Sequence, residues 1–494
     1  MTSTDLILAI DQGTTGSTCL LVDDSFRVHG RSTVEFPQHF PKPGWVEHDP
    51  DELWTSVTTA MKQALSAANA DAGQIQAIGI TNQRETSLIW DRATGTPLHR
   101  AIVWQDRRTA DRCATLRADG HEAMIRETTG LVPDPYFSGT KLAWVLDHVD
   151  GARARAEAGE LAAGTIDTYV LWRLTGGTAH ATEPSNASRT MLWPLQGGGW
   201  SEELCALLGV PLAMLPEVHP SAHAFGKTKG VDGLPDGIPI CGIAGDQQSA
   251  LFGQACFSPG EAKCTYGTGA FVMMNTGTKV VPSKHGLLTT VGWQLGDTTT
   301  YCLEGSSFMA GAVVQWLRDE LGFFSSAAEV EALARTVDDA GGVVLVPAHA
   351  GLGAPHWRPE ARGLIRGLTR GTGRAHIARA ALEGIALQIT ELLDAMAADL
   401  GEPLAGLRVD GGAAANNLLM QIQADLLGLP LQRPTMLEAT ALGAISLAGL
   451  GAGLWSDTTA LRNAWVQDRA FDPAGDPETI TALRKAWSEA VALA

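Results

Sequence analysis

Hydrophobic and polar positions at the start of the chain fall into blocks. Residues 7–23 read ILAIDQGTTGSTCLLVD, in which two apolar runs flank a turn of glycine and threonine. This pattern predicts a strand, a tight turn and a second strand. Gly13 and Gly16 let the backbone approach a ligand closely, so the turn can hold phosphate oxygens while Asp11 at its mouth holds a divalent metal. A plain surface hairpin favours the same residue types, and this segment alone leaves both interpretations open.

Three further segments of the first half indicate alternating helices and strands. Leu53, Val57, Met61 and Leu65 share one face of a helix that begins at a cap and a proline, Asp49-Pro50. Residues 74–81 predict a strand that runs into the polar cluster 82–86, NQRET. Residues 239–253 predict a strand that ends in charge and becomes a helix. Ligands of open α/β sheets bind at the carboxyl ends of strands, where both polar clusters would lie.

The second half opens on another glycine and threonine turn, residues 265–271, TYGTGAF. A long helix is predicted over 375–400, with one apolar face and Gly401 as its end. Residues 408–428 indicate strand, glycine-rich turn and helix, and 439–456 indicate a tightly packed buried helix and turn. The two phosphate-type turns, one per half, suggest weak internal repetition.

Length and composition limit the class of protein. A chain of 494 residues is too long for one core, so we expect two domains, 1–253 and 254–494, joined by a hinge near 253–260. The net charge of −18 argues against a nucleic-acid partner. Seven scattered cysteines and an N-terminus without a basic signal region predict reduced thiols, a cytoplasmic location and no membrane insertion. We also expect a homodimer or homotetramer.

Several familiar sites are excluded by their motifs. The sequence has no Walker A loop, no dinucleotide fingerprint, no clustered metal ligands and no nucleophile elbow. What remains is a set of aspartates and glycine–threonine turns at strand ends. Such a set suits transfer from ATP to an alcohol, which needs a carboxylate base, Mg²⁺, N–H donors and exclusion of water.

Each candidate side chain also has an ordinary structural explanation. Asp246 could be the base or could simply cap the helix that follows it. Arg84 and Glu85 could form a surface ion pair, or could turn together into a cleft and bind a polyol. Trp104 and Phe271 could line a carbon backbone or pack in a core. The residues by themselves do not decide between these readings.

Read as an ordered set, the motifs identify a family. IDQGTT, TNQRET, VWQDRR, YFSGTKLAWVLDH, AGDQQSALFGQ, YGTGAF, GLIRGLTRGTGRAHIARAALE and RVDGGAAANN follow one another along nearly the whole chain. In this order they resemble the FGGY carbohydrate kinases, and among them the members that phosphorylate glycerol. The resemblance implies an α/β fold of two actin-like (ribonuclease H-like) ATPase domains flanking a central cleft.

The resemblance also implies a role for individual residues. Glycerol would contact Arg84, Glu85, Trp104, Tyr136, Asp246, Gln247 and Phe271, with Asp246 as the general base. ATP would contact Thr14, Thr15, Gly16, Thr268, Gly311, Gln315, Gly412 and Asn416. Asp11 and Asp246 would hold hydrated Mg²⁺. The expected products are sn-glycerol 3-phosphate and ADP.

Two departures from the family pattern alter the expectation locally. Relatives often read GTTSSR where this chain has Gly16-Ser17-Thr18, so an arginine near the phosphates is missing. Some relatives carry a basic loop at which a sugar bisphosphate inhibits the enzyme, and Asp236 stands where that loop would have an arginine. Because an acidic residue repels phosphate, we expect such inhibition to be weak or absent. A kinase of another small polyol or a ketose is the alternative within the family. A non-catalytic ATP-binding protein of the actin and chaperone superfamily is the alternative outside it.

Overall fold

The computed structural model describes residues 5–358 and 360–494, and each half of the chain builds one large mixed sheet. The strands of the first half are β1 Leu6–Gln12, β2 Gly16–Val22, β3 Val28–Glu35, β4 Glu47–His48, β5 Ile75–Asn82, β6 Ser87–Asp91, β7 Ala101–Ile102, β8 Leu161–Thr165, β9 Ala181–Thr182, β10 Glu217–Val218, β11 Ala222–Lys227 and β12 Pro239–Gly245. Its helices are α1 Pro50–Ala68, α2 Ala110–Ala118, α3 Glu122–Thr129, α4 Ser138–His148, α5 Ala152–Glu157, α6 Ile166–Leu174, α7 Pro184–Ala187, α8 Glu202–Leu208 and α9 Asp246–Gly253.

The second half continues with the same mixture of elements. Its strands are β13 Glu261–Tyr266, β14 Ala270–Gly277, β15 Leu288–Leu295, β16 Thr298–Ser307, β17 Val344–Val346, β18 Leu364–Arg366, β19 Gly406–Asp410, β20 Leu431–Pro434 and β21 Gln467–Phe471. Its helices are α10 Gly311–Asp319, α11 Glu329–Ala334, α12 Arg374–Leu400, α13 Asn417–Leu427, α14 Ala439–Gly451, α15 Thr459–Ala464 and α16 Pro477–Val491. Short 3₁₀ turns cover Ala72–Gln74, Leu212–Met214 and Gly412–Ala415.

The two large sheets share one topology. The first has the order β11-β12-β5-β1-β2-β3 and the second β15-β16-β14-β13-β19-β20-β21. An antiparallel run, of three strands in the first sheet and four in the second, is extended in each by two parallel strands: β5 and β12 beside β1, and β19 and β20 beside β13. The repetition suggested by the two turns is therefore present in the fold.

The apolar patterns place the elements largely as predicted. The hairpin over 7–23 forms as β1 and β2, and the helix begun by Asp49 has that side chain as its N-cap. The predicted strand 74–81 is shifted by one residue, because Gln74 closes a 3₁₀ turn before β5. In the described part of the chain, every helix is too short or too polar to cross a lipid bilayer.

Helix α14 belongs to the second half of the chain by sequence but packs against the sheet of the first half. Although it follows residue 254, its buried alanines and Ile445 contact β1, β2 and β5 of the first sheet. Small residues allow this close approach, since a Cβ on Gly79 would lie 2.6 Å from the carbonyl carbon of Ala444. Segments of the second half thus pack against both sheets, and a domain division at residue 253 stays a prediction.

Candidate active site

The carboxyl ends of β1, β5 and β12 meet at one edge of the first sheet, because these strands run parallel. The turn after β1 is closed by the N–H of Gly13, which donates to the Gly16 carbonyl at 2.9 Å. Asp11 lies at the mouth of this turn. Burial, together with the charges of Asp246 and Glu438, raises the pKa of Asp11 to about 8. The two aspartates therefore lie close enough to repel each other when both are ionised.

The polar cluster after β5 is bent by an unusual backbone at Glu85. Its φ is +60°, and the Thr86 N–H donates to the Arg84 carbonyl at 2.7 Å across it. Such left-handed backbone is strained for a residue with a Cβ and persists only where its surroundings impose it. The turn brings Arg84 Nε within 3.9 Å of Glu85 Oε1, so both side chains lie on one side instead of on opposite faces of a strand.

Arg84 is the central cation of the cleft. Its Nε lies 3.2 Å from Asp246 Oδ1, and its Nη2 donates to the Tyr136 hydroxyl at 3.3 Å. The arginine side chain passes directly beside Gly245, where a Cβ would lie 2.7 Å from Arg84 Cγ. Burial and the charge of Glu85 raise the pKa of Tyr136, so its hydroxyl stays protonated and able to donate.

Three aromatic side chains form one wall of the cleft. The Trp104 ring lies 5.6 Å from Tyr136 and 6.3 Å from Phe271, edge to face in both cases. Phe271 comes from β14 of the second sheet, so the wall joins the two halves of the chain. The Trp104 indole N–H donates to the Thr14 hydroxyl at 2.9 Å, which ties this wall to the turn after β1.

Asp246 opens helix α9 without being its N-cap. Gly245 holds the cap position, and its N–H donates to the Ser185 hydroxyl at 2.9 Å. Asp246 Oδ1 accepts from the adjacent Gln247 N–H at 2.7 Å and lies beside Arg84 Nε, and the side chain stays partly open to the cleft. The capping explanation for Asp246 is therefore wrong, because the cap lies one residue earlier. Gln247 Oε1 accepts from Lys263 Nζ, which leaves its amide nitrogen to donate into the cleft.

Three buried charged residues of the site were missed by the sequence reasoning. Glu304 accepts from both terminal nitrogens of Arg84, at 2.5 and 2.9 Å, and from Arg189 Nη2 at 3.0 Å. Arg189 Nε also donates to Glu85 at 2.6 Å. Lys263 orients Gln247 from the second half of the chain. The only signal for Glu304 and Lys263 was a charge next to apolar residues, with Leu303 before Glu304 and with Ala262 and Cys264 on either side of Lys263.

Three of the residues expected to contact nucleotide lie around the end of β13. Gly311 opens α10 and donates its N–H to the Gly267 carbonyl at 2.9 Å, and Ala310 donates to the Thr268 carbonyl at the same distance. A Cβ on Gly411, the neighbour of Gly412, would lie 2.6 Å from the Tyr266 carbonyl oxygen. Thr268, Gly311 and Gly412 are thus brought to one place.

Three other nucleotide candidates have local explanations in the fold. Asn416 Oδ1 accepts from the Leu419 N–H at 2.9 Å as the N-cap of α13, which leaves its amide nitrogen free of that role. Gln315 lies on the exposed side of α10. Gly16 pairs with Glu35, and a Cβ there would lie 3.0 Å from the Val34 carbonyl oxygen. A nucleotide role for these three residues stays a prediction.

Comparison with known proteins relates nearly the whole chain to one family. The family models for the N-terminal and C-terminal domains of the FGGY family of carbohydrate kinases match residues 6–253 and 262–452. A glycerol kinase of Myxococcus xanthus is 58% identical over 98% of this chain and 98% of its own. One from Bordetella pertussis is 57% identical over 100% of this chain and 98% of its own.

A solved structure gives the same result in three dimensions. The glycerol kinase of Plasmodium falciparum with ADP superposes with a TM-score of 0.93 at 36% identity, over 99% of this chain and 98% of that one. The predicted α/β class with two actin-like domains is confirmed by this match and by the two sheets. The chain belongs to the FGGY family of carbohydrate kinases.

Proposed function

We propose that this protein transfers the γ-phosphoryl group of ATP to glycerol, giving sn-glycerol 3-phosphate and ADP. The observation that carries the proposal is the cleft in which Arg84, Glu85 and Asp246 face the Trp104, Tyr136 and Phe271 wall. Donors and acceptors on one side and aromatic rings on the other suit a short polyol, whose hydroxyls give and take hydrogen bonds along a carbon edge.

Asp246 acts as the general base in this proposal. Its carboxylate takes the proton of a primary hydroxyl as that oxygen forms a bond to the γ-phosphorus and the bond to the β-phosphate oxygen breaks. Arg84 Nε lies 3.2 Å from Asp246 Oδ1 and holds the carboxylate in position from the side. Glu85 and Tyr136 fix the other hydroxyls, so that the reacting oxygen lies in line with the phosphate.

The phosphates would be held by the turn after β1, through Thr14, Thr15 and its backbone N–H groups. Nucleotide would meet the second half of the chain at Thr268, Gly311, Gly412 and Asn416. Because the aromatic wall and the Glu304 contacts already join the two halves, closure on both substrates would exclude water from the reacting groups.

A magnesium ion fits the donor set at the base of the cleft. Burial and the charge of Asp246 raise the pKa of Asp11, and a divalent cation bound near these carboxylates would relieve that repulsion. The described residues hold no group of three or more His, Cys, Asp or Glu side chains arranged for a metal, so phosphate oxygens and water would complete the shell. Bound there, Mg²⁺ would neutralise negative charge on the phosphates.

The substrate is tested by the release of ADP in a coupled assay. Purified protein with ATP and Mg²⁺ is given glycerol, xylulose or no acceptor. We expect ADP release to depend on glycerol and to be far slower with the ketose, because a wall whose Trp104 and Phe271 rings lie 6.3 Å apart suits a short carbon edge better than a long one. Faster turnover of xylulose would favour the alternative kinase. No ADP release with any acceptor would favour a non-catalytic ATP-binding protein, and ADP release that no acceptor alters would indicate an ATPase and not a kinase.

Assembly and location are also proposed. A homodimer or homotetramer and a cytoplasmic location are what we expect of this protein, and sedimentation of the purified chain tests the first of these.

A further inference from the structure

An exposed ion pair joins the two halves of the chain beside the phosphate turn. Arg31 Nε on β3 lies 2.8 Å from Glu438 Oε1, in the residue that precedes α14. The side chains are 48% and 36% exposed, so neither is fixed by burial and the arginine is free to exchange its partner. A surface ion pair of this kind adds little to the stability of the fold. Its location in the molecule therefore points to a different role.

The position is on the face that carries Asp11. Asp11 pairs with Thr18 across β1 and β2, and the Thr18 hydroxyl lies 2.9 Å from that of Thr33 on β3. Arg31 is two residues from Thr33 and therefore points to the same face. From strand spacing and rise, its Cα lies about 12 Å from that of Asp11. Phosphate oxygens held near Asp11 would lie within reach of the guanidinium.

The charges of the pair act on this part of the cleft. Arg31 lowers and Glu438 raises the pKa of Asp11, while burial has the largest effect. The other cations of the cleft are committed elsewhere, since Arg84 and Arg189 bind Glu304 and Lys263 binds Gln247. The hairpin itself, residues 7–23, contains no lysine or arginine.

We propose that Arg31 supplies the positive charge to the ATP phosphates that the hairpin of this chain lacks, and that Glu438 holds and partly neutralises it until nucleotide binds. Arg31 then leaves Glu438 and donates to a phosphate oxygen. This inference rests on the proposed function, because it takes the Thr14–Thr15 turn as the phosphate site. It places this positive charge on β3, outside the hairpin itself.

Opposite effects of two single substitutions test the inference. Titration calorimetry measures the dissociation constant of ADP for wild type, Arg31→Met, Glu438→Gln and the double variant, with Mg²⁺ and without turnover. Arg31→Met should weaken ADP binding by about fivefold to tenfold. Glu438→Gln should tighten it by about twofold, because Arg31 is no longer neutralised. The double variant should resemble Arg31→Met.

A simple clamp between the halves predicts a different result. Both single substitutions would then weaken ADP binding, or neither would change it, and either outcome overturns the inference. Arg484→Met is the matched control, since Arg484 forms a similarly exposed pair with Asp394 at 2.6 Å on the second half of the chain. It should leave ADP binding unchanged. If wild type shows no glycerol-dependent turnover, the proposed function is refuted instead. The ADP affinities are measured without turnover, so the two failures can be told apart.

Discussion

Replacement of Glu304 by glutamine tests the buried charge cluster most sharply. Burial by itself raises the pKa of Glu304, but the charges of Arg189 and Arg84 outweigh this and hold the pKa at about 2. A folded-state pKa of about 2 against 4.5 in the unfolded chain corresponds to about 3 kcal/mol of stability. Breaking a buried ion pair from one side costs roughly 3 to 5 kcal/mol, in agreement with this value.

The pH dependence of this contribution has a definite sign. Because the folded pKa lies below the unfolded value, the stabilisation is fully present above pH 4.5 and is lost as the pH falls from 4.5 towards 2. The assay is urea unfolding followed by tryptophan fluorescence, for wild type and Glu304→Gln, at pH 7 and at pH 4. We expect the difference in unfolding free energy to be about 3 kcal/mol at pH 7 and to shrink below pH 4.5.

Glycerol affinity separates a role in the site from a role in folding alone. Glu304 holds both terminal nitrogens of Arg84, so its loss should leave that guanidinium misplaced and weaken glycerol binding at least tenfold in calorimetry. Glu383→Gln is the control, because Glu383 is a buried carboxylate bound to Arg379 at 2.8 Å within one helix. It should keep its glycerol affinity. The reasoning would be refuted if Glu304→Gln kept its glycerol affinity and lost less than about 1 kcal/mol of unfolding free energy.

Three further predictions concern other parts of the fold. Gly443→Ala would place a Cβ 2.5 Å from the carbonyl carbon of Ser249, and the forced separation of α14 and α9 should cost roughly 3 kcal/mol in urea unfolding. Burial lowers the pKa of Lys141 to about 7. The Lys141→Met variant should therefore be more stable than wild type below pH 7, where the buried lysine is charged. This advantage in unfolding free energy should shrink by roughly 3 kcal/mol between pH 7 and 10. Asp236 accepts from the Gly230 N–H at 2.7 Å and places negative charge in its loop, so fructose 1,6-bisphosphate should leave the rate unchanged in the coupled assay.

Each of these has a contrary outcome. A Gly443→Ala protein as stable as Gly406→Ala, where a Cβ meets nothing within 4 Å, would mean that the helices adjust without cost. A Lys141→Met advantage that does not vary with pH would mean that Lys141 is charged throughout. A clear inhibition curve with the bisphosphate would show that Asp236 does not repel it.

Local patterns were sufficient to predict the first hairpin, strands β5 and β12 with their polar ends, and helices α1 and α12. The apolar runs around the first turn form β1 and β2, and the carboxyl end of β5 does carry Arg84 and Glu85 into the cleft. These features depend on residues close in sequence, where periodicity and turn chemistry act directly. The shared orientation of Arg84 and Glu85 needed the left-handed backbone at Glu85, which its sequence does not indicate.

The charge cluster could not be predicted in the same way. Glu304 meets Arg84 and Arg189 across 220 and 115 residues of chain, and only the folded structure brings them together. A charged residue within an apolar strand indicates that a partner exists without identifying it. Likewise, the small residues of α14 predicted close packing, and the sheet against which it packs followed only from the fold.

The most direct test of the account is the rate of glycerol-dependent ADP release by wild type and Asp246→Asn, with circular dichroism to verify the fold of the variant. We predict that the variant folds, since Gly245 and not Asp246 caps α9, and that its turnover falls by roughly two or more orders of magnitude. Near-normal turnover in a folded Asp246→Asn protein would contradict the central claim that this carboxylate takes the proton of glycerol.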